Sequence, residues 1–485
     1  MHWLSNIFKK MRGGVHRPPR IFFTNTLSGQ KELFVSQKPG LVTLYSCGPT
    51  VYGSAHIGNL RAYVFSDSLA RVLDAAGYHV RRVINITDVG HLAGDGDTGE
   101  DKMAIGAARE KSTPQAIADR YTREFVDDLS ELNIDIKNIQ FPRATDYIRE
   151  QIALAKTLEE KGFAYHIKNG LAFDTSRFPA YGKLGKIDLI TQRAGARVEA
   201  DPEKRHPADF WLWRSAKPGD LQQWDSPWGR GNPGWHIECS AMSRTLLGQE
   251  IDIHTGGEDH IATHHNNEIA QSEAASGRIF VHYWMHNAFL TIGNQKISKS
   301  LQNDIYLKDI VAKGFHPLVL RYFYLQAHYR TPLSFSWEAL AGAAIALDRL
   351  WKLSRDVARE STRKSASSET RNRFLAVLRD DLATPQALSC LWDSLKSEEY
   401  APEEKWGLLE DADAHLGLSL LEPPELDILT VKDTPKEICD LLARREAARA
   451  SKDFEEADRI RNTILNSGYR VDDGPNGPVL TRTAF

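Results

Sequence analysis

The sequence has little cysteine: only Cys47, Cys239, Cys390 and Cys439 occur in a chain of 485 residues. They are too few and too scattered for the disulfide framework of a small secreted domain. We therefore expect a reducing compartment, the cytoplasm, in which one or more thiols are available for metal binding or chemistry.

Long apolar runs and an excess of one charge are also missing. No stretch approaches the roughly 18 apolar residues that cross a bilayer, so we expect no membrane association. The 61 Lys and Arg residues nearly balance the 64 Asp and Glu residues, which excludes a globally basic nucleic-acid binder but not a local basic face. Hydrophobic residues make up 41% of the chain and charged residues 26%, which is typical of globular proteins.

The first part of the chain predicts a βαβ unit. Residues 41–47 are apolar and end in a Gly-Pro turn, residues 60–76 have apolar positions at helical spacing, and residues 79–87 predict a second strand. Gly77 stops the helix. Such a unit implies a parallel sheet, and ligands of parallel sheets bind beyond the carboxyl ends of the strands.

The rest of the chain divides into an α/β part and a mostly helical part. Before residue 316 we predict helices at 114–132, 145–161 and near 263–275, a strand at 251–254, and an irregular insertion at 163–235 between two halves of the sheet. Beyond residue 316 strand signals fade, and the pattern predicts helices at 316–326, 337–357 and 371–396. Two more helices follow a Pro-rich break at 422–436, and the last one opens with a capping box, Asp453 and Glu456, and closes at Gly468.

Residues 55–59, Ala-His-Ile-Gly-Asn, lie where the first strand passes into the first helix. The N-terminus of a helix offers unpaired N–H groups and a positive dipole to a phosphate. Gly58 allows a close approach of the backbone, and His56 can donate to a phosphate oxygen. Taken alone, a tight turn with an incidental histidine is the simpler interpretation.

Residues 296–300, Lys-Ile-Ser-Lys-Ser, place two lysines and two serines in a loop far downstream. Lysine is a mobile point charge suited to a polyphosphate, although an exposed loop with solvated lysines explains the segment equally well. In this order and context, the two segments resemble the HIGH and KMSKS signatures of class I aminoacyl-tRNA synthetases.

Four residues are candidate metal ligands. Cys47 ends the first strand, Cys239 follows Pro-Gly-Trp-His-Ile-Glu, and His264 and Glu268 share one face of a predicted helix because they are four apart. Cys, His and Glu all bind Zn²⁺. The spacing alone does not identify a site, and two buried structural cysteines remain the simpler interpretation of the residues by themselves.

Longer strings resemble the cysteinyl-tRNA synthetase family over residues 21–475. They are FTNTLSGQKELF, YSCGPTVYGSAHIGNLR, NITDVG, GWHIECSAM, HTGGEDHIATHHNNEIAQSEA, YWMHNAF, KISKSLQN, RYFYLQAHYR, DDLATPQAL and ARASKDFEEADRIR. The sequence departs from the family pattern in two places: Asn59 replaces the last histidine of HIGH, and Val479 and Leu480 stand where the family commonly has a tryptophan.

The resemblance implies a set of site residues. One Zn²⁺ is expected on Cys47, Cys239, His264 and Glu268, where it would bind the substrate thiol. Thr50, Thr87, Trp235 and His254 are expected to form the cysteine pocket, with core packing the alternative for the last two. ATP, together with Mg²⁺, is expected on His56, Gly58, Asn59, Asp259, Lys296, Ser298 and Lys299, and the catalytic residues among them are His56, Asn59, Lys296 and Lys299.

The resemblance also implies an architecture and partners. The expected fold class is α/β: a Rossmann-like catalytic domain at 21–315 with an insertion at about 135–235, then a helical anticodon-binding domain at 316–420, and a helical hairpin and tail that bind tRNA at 421–485. From their composition alone, with several bases and no acid, residues 1–20 are expected to be a disordered extension or to precede a true start at Met11, with a targeting peptide as the alternative. The expected partners are tRNA(Cys), ATP and L-cysteine, and the protein is expected to be a monomer.

Two other functions compete with this interpretation. A small-molecule cysteine ligase would share the catalytic core, but it needs no long helical region and no basic cluster such as Arg444, Arg445, Arg449 and Lys452 near Arg459 and Arg461. An inactive RNA-binding paralogue is expected to have lost metal ligands or phosphate-loop residues, and none is missing here.

Overall fold

The computed structural model describes residues 18–90, 101–186, 203–293, 295–297, 303–365, 368–424, 434–474 and 477–482. Its strands are β1 Phe22–Asn25, β2 Gln30–Leu33, β3 Leu41–Ser46, β4 His79–Ile84, β5 Ile139–Gln140, β6 Ala164–Ile167, β7 Gly170–Phe173, β8 Phe210–Ser215, β9 Gly231–Pro233, β10 Ile251–Gly257, β11 Val281–Asn287, β12 Leu290–Ile292, β13 Gln295–Lys296, β14 Leu333–Phe335, β15 Tyr469–Gly474 and β16 Gly477–Arg482. Its α-helices are α1 Ile57–Ala75, α2 Lys102–Glu110, α3 Pro114–Glu131, α4 Ile148–Glu160, α5 Trp235–Leu247, α6 His264–Ser276, α7 Leu307–Ala312, α8 Pro317–Leu325, α9 Trp337–Glu360, α10 Glu369–Leu378, α11 Thr384–Lys396, α12 Pro402–Leu416, α13 Lys436–Ala450 and α14 Phe454–Asn466.

A five-stranded sheet in the order β11-β10-β3-β4-β5 forms the centre of the α/β part, and all neighbouring strands are parallel. The predicted unit β3–α1–β4 is confirmed, and β10–α6–β11 is a second one. The first unit extends the sheet from β3 towards β4, and the second extends it in the opposite direction. The strand order therefore reverses between β3 and β10, which is where open α/β sheets bind their ligands.

The first helix begins at Ile57, three residues before the predicted start, because side chains cap its first turn. The His56 ring accepts a hydrogen bond from the backbone N–H of Asn59 (3.2 Å), and the Asn59 side chain accepts one from the backbone N–H of His56 (3.2 Å). This reciprocal capping satisfies N–H groups that a helix start leaves unpaired. The helix ends before Gly77, whose φ of 94° turns the chain into β4.

The inserted region is more regular than the sequence predicted. Strands β6, β7, β8 and β9 form an antiparallel sheet where we expected irregular structure. The pattern was obscure because the strands are short and β7 is buried at every position, so no polar alternation marks it. Strand β5 still belongs to the parallel sheet, so the antiparallel sheet itself lies within residues 164–233.

The predicted helix at 371–396 is wrong as one element, since it is divided into α10 and α11. Between them, Asp381 and Leu382 have φ values of 61° and 53°. The Asp381 carboxylate accepts hydrogen bonds from Thr24, Tyr329 and Arg330, which are remote in sequence. These tertiary contacts fix a left-handed turn that helical periodicity alone does not reveal.

The helical part contains strands that the sequence did not predict. Strand β14 pairs in parallel with β12, which pairs with β13 on its other side. At the end of the chain β15 and β16 form a hairpin that packs with α13 and α14 around a small core of Ile438, Ile460, Ile464, Val471 and Leu480. Half of the capping box predicted for the last helix is confirmed: the Asp453 side chain accepts from the Glu456 N–H (3.1 Å), while the Glu456 carboxylate pairs with Arg459.

The predicted basic cluster is not a continuous exposed patch. Arg445 is only 1% exposed, and its guanidinium lies 2.6 Å from the Glu446 carboxylate. Arg459 is paired with Glu456 at 2.7 Å. Part of the positive charge is therefore buried or neutralised within α13 and α14.

Between α1 and α12, a buried charge network joins the α/β part to the helices that follow. Arg321 is fully buried and donates to the Asp67 carboxylate (2.7 Å) and to the carbonyls of Leu132 (2.8 Å) and Leu416 (2.6 Å). Burial opposes ionisation of Asp67, but Arg321, Arg71 and Arg82 outweigh it and hold its pKa well below the usual range. Among the described helices, none has the length and apolar character required of a membrane span.

Candidate active site

Four metal-binding side chains meet at the carboxyl ends of β3 and β10. Cys47 follows β3, and its N–H donates to the carbonyl of Thr255 in β10 (3.2 Å). Cys239 projects from α5, and His264 and Glu268 lie one turn apart on α6. One donor atom from each residue lies within 4.8 Å of all the others, and all four residues are buried. The structure thus brings together the four ligands expected from the resemblance.

Glu268 is held between two histidines. Its Oε1 lies 3.1 Å from Nε2 of His264, and its Oε2 lies 3.0 Å from Nε2 of His254. Burial raises the pKa of the carboxyl, but the two histidines outweigh burial and lower the pKa to about 2. Glu268 is therefore an ionised carboxylate that could bind a metal, with one oxygen facing the cluster and the other fixed by His254.

The two thiols lie against each other and against histidines. A hydrogen bond from Cys47 lowers the pKa of Cys239 to about 7, while burial raises the pKa of Cys47. The Cys47 sulfur is also 3.3 Å from Nε2 of His265. Cys47, His254, His265 and Glu268 form a second set of donors within 4.8 Å, so the two sets share one thiol and one carboxylate.

The other ring nitrogens are engaged outside the cluster. Nδ1 of His264 lies 2.9 Å from Nδ1 of His236, so its Nε2 faces Glu268. Histidine ligands of metals are usually oriented in this way by a partner on the second nitrogen. Two sulfurs, one imidazole and one carboxylate in a buried pocket form a donor set that suits Zn²⁺.

Two of the residues expected to hold cysteine, Trp235 and His254, contact this cluster. Trp235 is the first residue of α5, and its ring centroid lies 4.4 Å from that of His264. Thr50 and Thr87 lie side by side in a parallel bridge at the ends of β3 and β4. His254 is fully buried and stacked on Trp284 (4.7 Å), so in this structure it contacts Glu268 rather than an open pocket.

The phosphate-loop residues lie at the start of α1, as expected. A Cβ at Gly58 would lie 3.0 Å from the His56 ring and 3.4 Å from Cδ1 of Ile297. The Ile57 N–H donates to the carbonyl of Ile305 (2.8 Å). The helix start is thereby packed against Ile297 of the lysine-rich loop and bonded to Ile305, which lies beyond the loop.

The lysine-rich loop is described in part. The backbone of Lys296 lies in β13, paired with Thr291 of β12. Ser298 and Lys299 lie outside the described residues. Asp259 follows β10 in a 3₁₀ turn, and a Cβ on Gly257 would lie 2.4 Å from its carboxylate, so any larger residue there would displace the Asp259 side chain.

Sequence reasoning missed His265 and His286. Nδ1 of His265 lies 2.7 Å from Nε2 of His286, whose Nδ1 lies 2.8 Å from the Thr26 hydroxyl. Burial lowers the pKa of both histidines well below the usual value, so both are neutral. The run His264-His265 ahead of Glu268 was the available signal, since positions three and four apart share a helix face.

Comparison with known proteins identifies related sequences. Residues 33–345 match the family model of the tRNA synthetases class I (C) catalytic domain. The Cysteine–tRNA ligase 1 of Burkholderia lata is 47% identical over 92% of this chain and 94% of its own length. The Cysteine–tRNA ligase of Treponema denticola is 42% identical over 93% of this chain and 97% of its own length.

Solved structures show the same fold at low identity. Mycobacterium tuberculosis methionyl-tRNA synthetase in complex with methionyl-adenylate superposes with a TM-score of 0.55 at 18% identity, over 79% of this chain and 91% of that one. The LeuRS of Agrobacterium radiobacter K84, in a ternary complex with tRNA, gives a TM-score of 0.58 at 11% identity, over 81% and 86%.

A buried carboxylate fixes the loop that follows β4. Asp88 is 1% exposed and accepts from the N–H (2.9 Å) and hydroxyl (2.6 Å) of Thr145. Gln222 of the inserted region donates to the Asp88 carbonyl (2.9 Å) and accepts from the Gly90 N–H (2.9 Å). Burial raises the pKa of the Asp88 carboxyl to about 6.

Asp88 should make stability fall as pH rises. Its folded pKa lies above the unfolded value of about 3.9, so its contribution is complete below pH about 4 and is lost through pH about 6. Asp88→Asn has no carboxyl group to deprotonate. Its unfolding free energy, relative to that of the original protein, should therefore rise by about 2 kcal/mol as the pH goes from 4.5 to 7. Urea unfolding at several pH values measures this difference, and a constant difference would contradict the raised pKa.

Proposed function

The chain belongs to the cysteine–tRNA ligase family of class I aminoacyl-tRNA synthetases, and we propose that it activates L-cysteine with ATP and transfers it to the 3′ end of tRNA(Cys). The observation that carries the choice of cysteine is the buried cluster of Cys47, Cys239, His264 and Glu268, with donor atoms within 4.8 Å of one another. The family membership supplies the reaction, and the cluster supplies a physical reason for the amino acid.

We assign one Zn²⁺ to these four residues. Two soft sulfurs favour zinc over the hard cations, and the second donor set has only one sulfur. His236 and His254 then act as partners that orient His264 and Glu268. When bound, the metal would take the substrate sulfur as a thiolate, which serine cannot offer, and would discriminate without an editing site.

Around the cluster, we assign the amino acid to Thr50, Thr87 and Trp235. The ring of Trp235 covers His264, and the two threonines mark the ends of β3 and β4. His254 is assigned to the same pocket, where it holds Glu268 in place. Together they orient the cysteine carboxylate for in-line attack on the α-phosphorus of ATP, which is chiefly a matter of positioning.

The ATP site is assigned to the start of α1 and the lysine-rich loop. His56, Gly58 and Asn59 are assigned to the phosphates at the positive end of the α1 dipole, and Asp259 is assigned to the ribose. Lys296 and Lys299, with Ser298, would neutralise pyrophosphate as its bond to the α-phosphorus breaks. ATP enters with Mg²⁺ on its phosphates, as is general for this chemistry.

The transfer step and the partners complete the proposal. The terminal ribose hydroxyl of the tRNA attacks the adenylate carbonyl, and AMP leaves. We assign residues 316–420 to stem contacts and anticodon binding and residues 421–485 to tRNA binding, although the buried apolar residues of the former share one cluster with the sheet. We further propose a monomer that works in the cytoplasm.

Loss of one thiol should remove both metal and activity. We expect Cys239→Ser to lose zinc and to lower cysteine-dependent exchange of pyrophosphate into ATP by at least about 100-fold, because a hard hydroxyl replaces a thiolate ligand. Cys390→Ser is the matched control, since Cys390 is also buried and free but lies in α11. Zinc analysis, pyrophosphate exchange and charging of tRNA(Cys) are measured on the same preparations.

The results separate the alternatives. Exchange and charging that depend on Cys239 and zinc support the proposal. Exchange without tRNA charging would indicate a small-molecule cysteine ligase, and tRNA binding without exchange would indicate an inactive paralogue. Full activity of zinc-free protein would contradict the assignment of the metal.

The C-terminal assignment has its own test. Residues 434–482 have a core of their own, so a chain that ends at residue 424 should keep its catalytic fold. We expect it to form cysteinyl-adenylate at the normal rate but to need about tenfold more tRNA(Cys) for charging, because phosphate contacts are lost. Steady-state kinetics of both reactions measure this, and an unchanged KM for tRNA would remove residues 425–485 from the tRNA site.

A further inference from the structure

Arg61 is a buried arginine in the second turn of α1, and its guanidinium holds four backbone carbonyls. Nη1 donates to the carbonyls of Ala288 and Phe289 (both 2.8 Å), and Nη2 donates to those of His328 (3.3 Å) and Thr331 (2.7 Å). The residue is only 2% exposed. The planar fork of a guanidinium allows this many directed bonds from one side chain, whereas an ammonium group has three donors around a point.

These carbonyls precede two strands of the small sheet that contains Lys296 of β13. Phe289 leads directly into β12, which pairs with Lys296 of β13, and Thr331 lies two residues before β14. Strands β12 and β14 are parallel neighbours, with Leu290 opposite Leu333. One side chain therefore fixes the origins of two strands of this small sheet.

The same side chain belongs to the helix that begins with the phosphate loop. Arg61 lies one turn beyond Ile57, and the phosphate-loop residues His56 and Asn59 cap that first turn. A second tie holds the helix start, because the Tyr324 hydroxyl donates to the Ile57 carbonyl (2.5 Å). Arg61 thus joins the start of α1 to the strands next to Lys296, the two segments assigned to the ATP phosphates.

The bonding of Arg61 differs from that of an ordinary structural ion pair. Its four acceptors are neutral carbonyls, whereas the guanidinium of Arg321 is paired with the Asp67 carboxylate. Burial lowers the pKa of Arg61 to about 10, so it is still charged at neutral pH. Burying a guanidinium without a carboxylate has a high desolvation cost. In return, its charge-assisted hydrogen bonds hold the backbone segments in a fixed relative position.

We propose that Arg61 is a positioning residue for adenylate formation, because it sets the place of the strand pair β12–β13, which carries the backbone of Lys296, relative to the phosphate-binding start of α1. The proposal rests on the proposed function. A misplacement of about 1 Å at a reacting centre can cost about 100-fold in rate. The effect should fall on the step that expels pyrophosphate and spare the transfer of cysteine from the adenylate to tRNA, because no pyrophosphate is present in that step.

The test compares the two half-reactions in Arg61→Lys and Arg61→Gln. Adenylate formation is followed by pyrophosphate exchange and by single-turnover kinetics. Transfer is followed from enzyme that has been loaded with cysteinyl-adenylate by long incubation with pyrophosphatase. We expect adenylate formation to slow about 100-fold, with the KM for cysteine, zinc content and transfer rate within about threefold of the original protein.

Arg321→Lys is the matched control, because it makes the same exchange at a buried guanidinium that contacts neither β12 nor the loop before β14. Its two half-reactions should change together or not at all. Equal slowing of both steps in the Arg61 variants, or failure of both variants to fold with zinc, would make Arg61 a structural residue and overturn the inference. Cysteine-dependent exchange by the original protein tests the proposed function separately.

Discussion

The parallel pairing of β3 with β10 is the constraint on which the site depends. The two strands are some two hundred residues apart in sequence, yet Ser46 lies opposite Thr255, and the next residue, Cys47, donates to the Thr255 carbonyl. Because one crossover helix leaves towards β4 and the other towards β11, the carboxyl ends of β3 and β10 form an open crevice. Cys47 can meet Glu268 only when this pairing is made.

Placing Glu268 as a charge in that crevice has consequences for its surroundings. A fully buried carboxylate is costly unless it is paired, and here His264 and His254 each hold one oxygen. The pKa of the Cys239 thiol is also lowered, while the burial of His264 is outweighed by Glu268 and Cys239, which raise its pKa to about 10, so a protonated His264 lies beside these anionic groups. A divalent metal would displace that proton and balance the negative charge, which links metal binding to pH and to the stability of the catalytic fold.

The sequence predicted the parts of the fold that local patterns determine. The unit β3–α1–β4 has apolar strands, a capped helix and a glycine stop within one short segment, and the four donors were expected from family resemblance. The break between α10 and α11 was missed because the partners of Asp381 are Thr24, Tyr329 and Arg330. The contacts of His254 with Glu268, and of Arg61 with carbonyls before β12 and β14, likewise depend on tertiary pairing that periodicity does not encode.

X-ray absorption at the zinc edge tests most directly whether a metal–sulfur bond selects cysteine. Spectra are recorded on the full-length protein alone, with L-cysteine and with L-serine. Cys47 and Cys239 predict two sulfur neighbours at about 2.3 Å in the free protein, one more sulfur with cysteine, and no change with serine. An unchanged sulfur shell in protein that is activating cysteine would contradict this mode of selection.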